Sequence, residues 1–162
     1  MDGNLIFRPA TPDDAEPVYK VYWDVCWWLH NVRGVVHQWE GEPAREEIQD
    51  MVASGELYLA VLQDQVVGAF KLNEHDHHWD DDGVALYVHA LAVNREFKGQ
   101  GVGRAMLDWA GDEARRRGKK VLRLDCMDEN ARLKQYYIEA GLELCSPRPE
   151  HRGSALFERK LT

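Results

Sequence analysis

Leu91-Ala-Val-Asn-Arg-Glu-Phe-Lys-Gly-Gln-Gly-Val-Gly-Arg104 decides how the rest of the chain is read, because a β-prone apolar run breaks into alternating glycines and restarts as a helix. Gly99, Gly101 and Gly103 carry no Cβ to hold a ligand off. Several backbone N–H groups can therefore converge on one oxyanion while the new helix adds the positive end of its dipole. The turn predicts a pyrophosphate cradle. Tight-turn geometry alone would also use glycines, but three at alternate positions before a helix exceed that need. The dinucleotide fingerprint requires Gly-x-Gly-x-x-Gly and the P-loop a Gly-Lys-Ser/Thr ending. Gly-x-Gly-x-Gly satisfies neither, and it follows the fourth predicted strand rather than the first.

Outward from this turn, 162 residues make one ordinary domain, long enough to bury a continuous core. With 44% hydrophobic and 30% charged residues the composition is that of a globular protein, and no apolar run approaches the span of a bilayer. The opening Met1-Asp-Gly-Asn-Leu-Ile-Phe lacks the basic end and long apolar centre of a secretory signal, so a cytoplasmic location is expected. A net charge of −8 argues against nucleic acid as a partner and favours cationic small molecules. Cys26, Cys126 and Cys145 are widely spaced with no Cys-x-x-Cys pair, which predicts buried thiols in a reducing compartment.

Leu5–Pro9 reads as a first strand, and Thr11-Pro-Asp-Asp14 as the capped start of a helix that runs through Val18, Val21, Tyr22 and Val25 into Trp27-Trp28. A second helix is predicted over about Pro43 to Ser54. Leu57–Leu62 and Val66–Leu72 form a predicted antiparallel hairpin across Gln63-Asp-Gln65. The loop His75-Asp-His-His-Trp-Asp-Asp-Asp-Gly83 leads to a strand over Val84–Val93. A helix from about Gly101 ends at Gly118 behind three arginines, a strand spans Val121–Asp125, a helix runs Ala131 to Ala140, and Ala155–Lys160 closes the chain as a strand. The order βααβββαβαβ predicts an α/β fold, a mixed sheet flanked by helices.

Lys98-Gly-Gln-Gly101-Val-Gly103 resembles the signature Arg/Gln-x-x-Gly-x-Gly/Ala of the Gcn5-related N-acetyltransferase (GNAT) superfamily, which lies between the fourth strand and the following helix. Asn130-Ala-Arg-Leu-Lys-Gln-Tyr-Tyr137-Ile-Glu-Ala-Gly141-Leu142 is similar to the family's second acetyl-CoA segment. Lys98 stands where Arg or Gln is usual and Leu142 where Phe is common; the first keeps a positive charge and the second is a change of packing. The resemblance implies a single GNAT domain over residues 1–162, with a mostly antiparallel sheet of six to seven strands and about four helices.

It also implies transfer of an acetyl group from acetyl-CoA to an amine by direct attack. In the family the main chain of Leu91, Ala92 and Val93 pairs with the pantetheine arm, and the backbone from Lys98 through Gly99, Gln100, Gly101, Val102 and Gly103 to Arg104 holds the pyrophosphate. A backbone amide near Leu91 would suit the thioester carbonyl oxygen as it gains charge. Tyr137 sits where the family's general acid sits, seven residues after Asn130, and would protonate the departing sulfur. Tyr136 is about 100° away around the helix. Asn130 matches a residue that contacts the cofactor arm and is also a natural N-cap. His89, two residues before Leu91, occupies a position where many members carry a base glutamate; Glu74 is the alternative base, and either would act directly or through water. Alternation along the strand puts Tyr87, His89, Leu91 and Val93 on one face.

Trp27, Trp28, His30, Trp39 and Glu40 fall in the region that forms the family's lid over the acceptor. They either wall a pocket for a cationic or aromatic amine or fill the core beneath the lid. The loop from His75 to Asp82 fits no known metal cage and reads as solvated and acidic, so no metal is expected. The expected partner is a small-molecule or peptide amine, with no nucleic acid and no membrane; an open sheet edge leaves a homodimer possible. A non-catalytic acyl-CoA sensor is the competing function, and it would not need competent residues at both 89 and 137.

Overall fold

The structure, a computed structural model, describes residues 4–34, 42–77, 79, 82–145 and 153–162. Its elements are β1 (Leu5–Pro9), α1 (Ala15–Asn31), α2 (Arg45–Ala53), β2 (Leu57–Leu62), β3 (Gln65–Asn73), β4 (Ala85–Val93), α3 (Val102–Arg116), β5 (Val121–Met127), α4 (Ala131–Glu139), β6 (Glu143–Cys145) and β7 (Ser154–Lys160). Seven strands form one sheet in the order β1-β2-β3-β4-β5-β7-β6. The β1–β2, β2–β3, β5–β7 and β6–β7 ladders are antiparallel and β4–β5 is parallel. The expected α/β class is therefore observed. The added strand, β6, spans only Glu143–Cys145, too short for alternation to show. Among the described residues no helix is long and apolar enough to cross a membrane. All three cysteines are free thiols; Cys26 and Cys126 are buried as expected, and Cys145 is only partly so.

The chain groups into two compact units, Met1–Lys71 with Ala90–Met106 and Leu72–His89 with Leu107–Thr162. In the first, Val18, Val21, Tyr22 and Cys26 recur at helical spacing along α1 and pack with Ile48 and Val52 of α2 and with Leu57, Leu59, Val61 and Ala69 of the β2–β3 hairpin. The hairpin turns on Gln63 and Asp64, whose φ of 49° and 65° make a type I′ turn without glycine. Gly68 on β3 has to be bare: a Cβ there would lie 2.7 Å from Met106 Sδ and 3.2 Å from the Ala92 carbonyl oxygen. The segment expected to cap α1 through Thr11 instead forms a 3-10 turn over Pro12–Asp14. Asp14 is its anchor, accepting the Thr11 N–H and two Arg8 guanidinium bonds, each at 2.8 Å.

In the second unit β4 and β5 pair only through Ala85–Tyr87 and Val121–Arg123 among the described residues, while β5 and β7 pair from Val121–Lys160 to Met127–Ser154. Arg123 is buried and bonds Glu158 at 2.8 Å and the Tyr87 hydroxyl at 3.2 Å, with its guanidinium 4.6 Å from the Trp79 ring centre. α3 ends as its sequence predicts: Gly118 takes a φ of 73°, and Lys119 N–H returns to the Ala114 carbonyl at 2.9 Å.

The Arg8 hydrogen bonds hold the Asp14 carboxyl down at about 2, overcoming the opposing effect of burial. Its folded-state value lies below the ordinary carboxylate range, so its stabilisation is present above about pH 4 and is lost as pH falls toward 2. Arg8 is half-exposed, and screening keeps the contribution small. Asp14→Asn should cost about 1 kcal/mol in urea unfolding at pH 7. The difference should fade by about pH 2; a constant difference across that range would contradict the assignment.

Candidate active site

The three glycines of the turn do two different jobs. Gly99 and Gly101 take φ of 77° and 80°, the left-handed region that a Cβ penalises, whereas Gly103 is buried in the first turn of α3. Ala105 N–H bonds the Gly101 carbonyl at 3.0 Å, so the N–H groups of Val102, Gly103 and Arg104 precede the helix's own ladder at its positive end. The amides of Lys98 and Gln100 close turns onto the carbonyls of Arg95 and Phe97, each at 3.3 Å. This leaves the amides of Gly99 and residues 101–104 as the candidates for holding an anion, a narrower set than the whole expected run. Asn94 was not singled out in the sequence, yet it anchors the approach. It is buried, its N–H donates to the Val67 carbonyl at 2.8 Å, and its side chain accepts the Glu96 N–H at 3.0 Å.

β4 is not a regular strand. Ala90 has a φ of 52°, and the Tyr22 hydroxyl of α1 donates to its carbonyl at 2.7 Å. The expected alternation of faces from Tyr87 to Val93 therefore does not carry across Ala90, because a left-handed residue turns the backbone between His89 and Leu91. Leu91 and Val93 are half-buried and Ala92 buried. Among the described residues the β4–β5 ladder ends at Tyr87.

In the second unit, Tyr137 is the buried residue of α4, its ring 5.5 Å from Phe157 and 5.7 Å from Tyr136. Burial pushes its phenol well above the ordinary value, and Cys126, Tyr136 and Asp125 push it further. It stays protonated throughout the neutral range. Asn130 caps α4 by accepting the Leu133 N–H at 3.2 Å, and Gly141 ends it with a φ of 87°, with Leu142 N–H returning to the Tyr137 carbonyl at 3.0 Å. Burial also raises the Cys126 thiol to about 11. His89 Nε2 lies 3.1 Å from Oδ2 of Asp76, whose side chain is 1% exposed. Asp76, His89 and Asp125 bring one nitrogen or oxygen each within 4.8 Å of one another.

A model of the acetyltransferase (GNAT) family matches residues 18–142. The chain belongs to the GNAT family of acetyltransferases. As a GNAT member it is an acetyl-CoA-dependent enzyme. It is 30% identical over 164 residues to the uncharacterized N-acetyltransferase YesJ of Bacillus subtilis strain 168, covering 95% of this chain and 89% of YesJ. A GNAT-family acetyltransferase structure from Listeria monocytogenes 4b F2365 has a TM-score of 0.78 at 23% identity, covering 97% of this chain and 95% of its own. The PaiA N-acetyltransferase of Thermoplasma acidophilum, solved in complex with coenzyme A, has a TM-score of 0.73 at 16% identity, covering 97% and 99%.

The expected acceptor residues belong to both units. Glu74 is half-exposed and pairs with Lys119 Nζ at 3.4 Å, which gives its carboxylate a structural partner. Trp28 carries the Arg95 guanidinium 3.7 Å from its ring centre, so the cation on that aromatic face is the chain's own. Trp27 is 45% exposed and stacks on Trp23 at 6.4 Å; it does not fill the core. His30 is exposed at the end of α1, and Trp39 and Glu40 lie outside the described residues. The loop after β3 is not uniformly solvated: Asp76 is buried between exposed His75 and His77, a placement that the run of polar residues gives no sign of.

Gly101→Ala meets no atom within 4 Å but forces a Cβ into the left-handed region. It should lower stability by about 1 kcal/mol. It should also raise KM for acetyl-CoA several-fold, because the helix-terminal amides shift with the strained turn. An unchanged KM would place the pyrophosphate elsewhere.

Proposed function

We propose that the chain moves the acetyl group of acetyl-CoA to a primary amine of a small molecule or peptide by direct attack, with Tyr137 as general acid and His89 as general base. The observation that carries this reading is the buried, protonated phenol of Tyr137 beside Asp125 and Cys126, in the same unit as the His89 imidazole. An acid and a base are the two groups this reaction needs, and a sensor needs neither.

The donor supplies an activated acyl thioester. The Gly99 and 101–104 amides would hold its pyrophosphate and the β4 main chain at Leu91–Val93 its arm; the left-handed glycines and the ladder's end at Tyr87 suit both. His89 takes a proton from the acceptor ammonium, freeing the nitrogen lone pair. As the C–N bond forms and the C–S bond breaks, Tyr137 gives its proton to sulfur, the nitrogen loses its second proton to water, and Tyr137 is reprotonated from solvent. The net charge of −8 favours encounter with a cationic acceptor. Free thiols at all three cysteines suit a cytoplasmic setting.

A screen of amines, amino acids, polyamines and peptides with acetyl-CoA, following free thiol, should find turnover with at least one acceptor class. Binding of acetyl-CoA without turnover on any of them would establish the sensor instead. Tyr137→Phe should lower kcat about 10- to 100-fold with KM for acetyl-CoA unchanged. Unchanged kcat would remove the acid role.

A further inference from the structure

We propose that Asp76, in the loop after β3, is a positioning residue that holds His89 with its proton on Nε2 and its lone pair on Nδ1. The proposal rests on the reading of His89 as the base. Asp76 is the one residue of that loop's described part turned fully inward, its side chain 1% exposed while that of His77 beside it is 84% exposed. A carboxylate buried to that degree is costly unless a positive or N–H-bearing group faces it. His89 Nε2, at an ion-pair distance of 3.1 Å from Oδ2 though not aligned on it as a hydrogen bond, is the group that faces it.

A carboxylate can only accept, so a nitrogen lone pair turned toward it is repelled and an N–H is attracted. Asp125 brings a second carboxylate within 4.8 Å of the pair. Nε2 therefore carries hydrogen in both the neutral and the protonated ring. Nδ1 is left as the atom that exchanges a proton. When His89 takes the acceptor's proton on Nδ1, the ring's charge forms beside the two carboxyl groups already in place, and the proton leaves from Nδ1 to solvent. The loop, which the sequence presents as a polar tether, thus supports the reaction through one residue.

Nitrogen NMR of histidine-labelled enzyme, with the His89 signal assigned by its loss in His89→Ala, tests this directly. The wild-type neutral ring should show the protonated-nitrogen shift at Nε2. Asp76→Ala should release the ring to a mixture of tautomers and lower kcat about tenfold or more, with KM for acetyl-CoA within twofold. Asp76→Asn, which keeps the volume, serves if the alanine variant does not fold and should also lower kcat with KM for acetyl-CoA held. An Nδ1–H ring in the wild type, or unchanged tautomer and kcat in the variants, would overturn the proposal. So would one equivalent of Zn²⁺ bound by the wild type and lost in Asp76→Ala, since Nε2 would then be a ligand. Full turnover in His89→Ala would remove the base reading alone, while the NMR result would still decide whether Asp76 sets the tautomer.

Discussion

The hydrogen bond from the Tyr22 hydroxyl to the Ala90 carbonyl is the contact on which the functional part of β4 depends. A non-glycine residue in the left-handed region costs about 1–2 kcal/mol, and it persists only where the surroundings hold it. Tyr22 is buried in the α1 core with Val18 and Cys26, so its hydroxyl meets Ala90 from a packed base. The kink separates two uses of one strand. Through Tyr87 it is an ordinary ladder member beside β5; from Leu91 its backbone leads through buried Asn94 into the left-handed glycines ahead of α3. In the proposed reaction the donor's arm and pyrophosphate ask for main-chain N–H and C=O groups in sequence, and this strand and turn would provide them.

In the proposed reaction the second unit would handle the protons. Burial keeps Tyr137 protonated and the Cys126 thiol near 11, so neither is charged at neutral pH, and Asp76 and Asp125 lie close to the His89 imidazole. A phenol that stays protonated can serve as a proton donor. Both carboxylates differ in kind from the exposed acidic groups that make up most of the net charge.

Legibility in the sequence followed the range of the interactions. The glycines, Asn130, Tyr137 and Gly141 were readable because each answers a local demand: a positive φ, an N-cap, one buried position per helical turn. β1 and β2 also matched residue for residue, since Leu5–Pro9 and Leu57–Leu62 end at clear turn signals. What was not readable depends on partners far along the chain. The kink at Ala90 needs Tyr22, Gly68 needs Met106, and the burial of Asp76 needs His89. Arg95 over Trp28 is of the same type. β6 was missed because three residues carry no periodicity.

Direct attack, as proposed, requires both substrates to be present before any thiol is released, because no acyl-enzyme forms between them. The most direct measurement is rapid-mixing detection of free coenzyme A with and without an acceptor found by turnover. The account predicts no release without acceptor and intersecting initial-rate lines when both concentrations are varied. A stoichiometric burst of thiol in the absence of acceptor, with parallel lines, would contradict it.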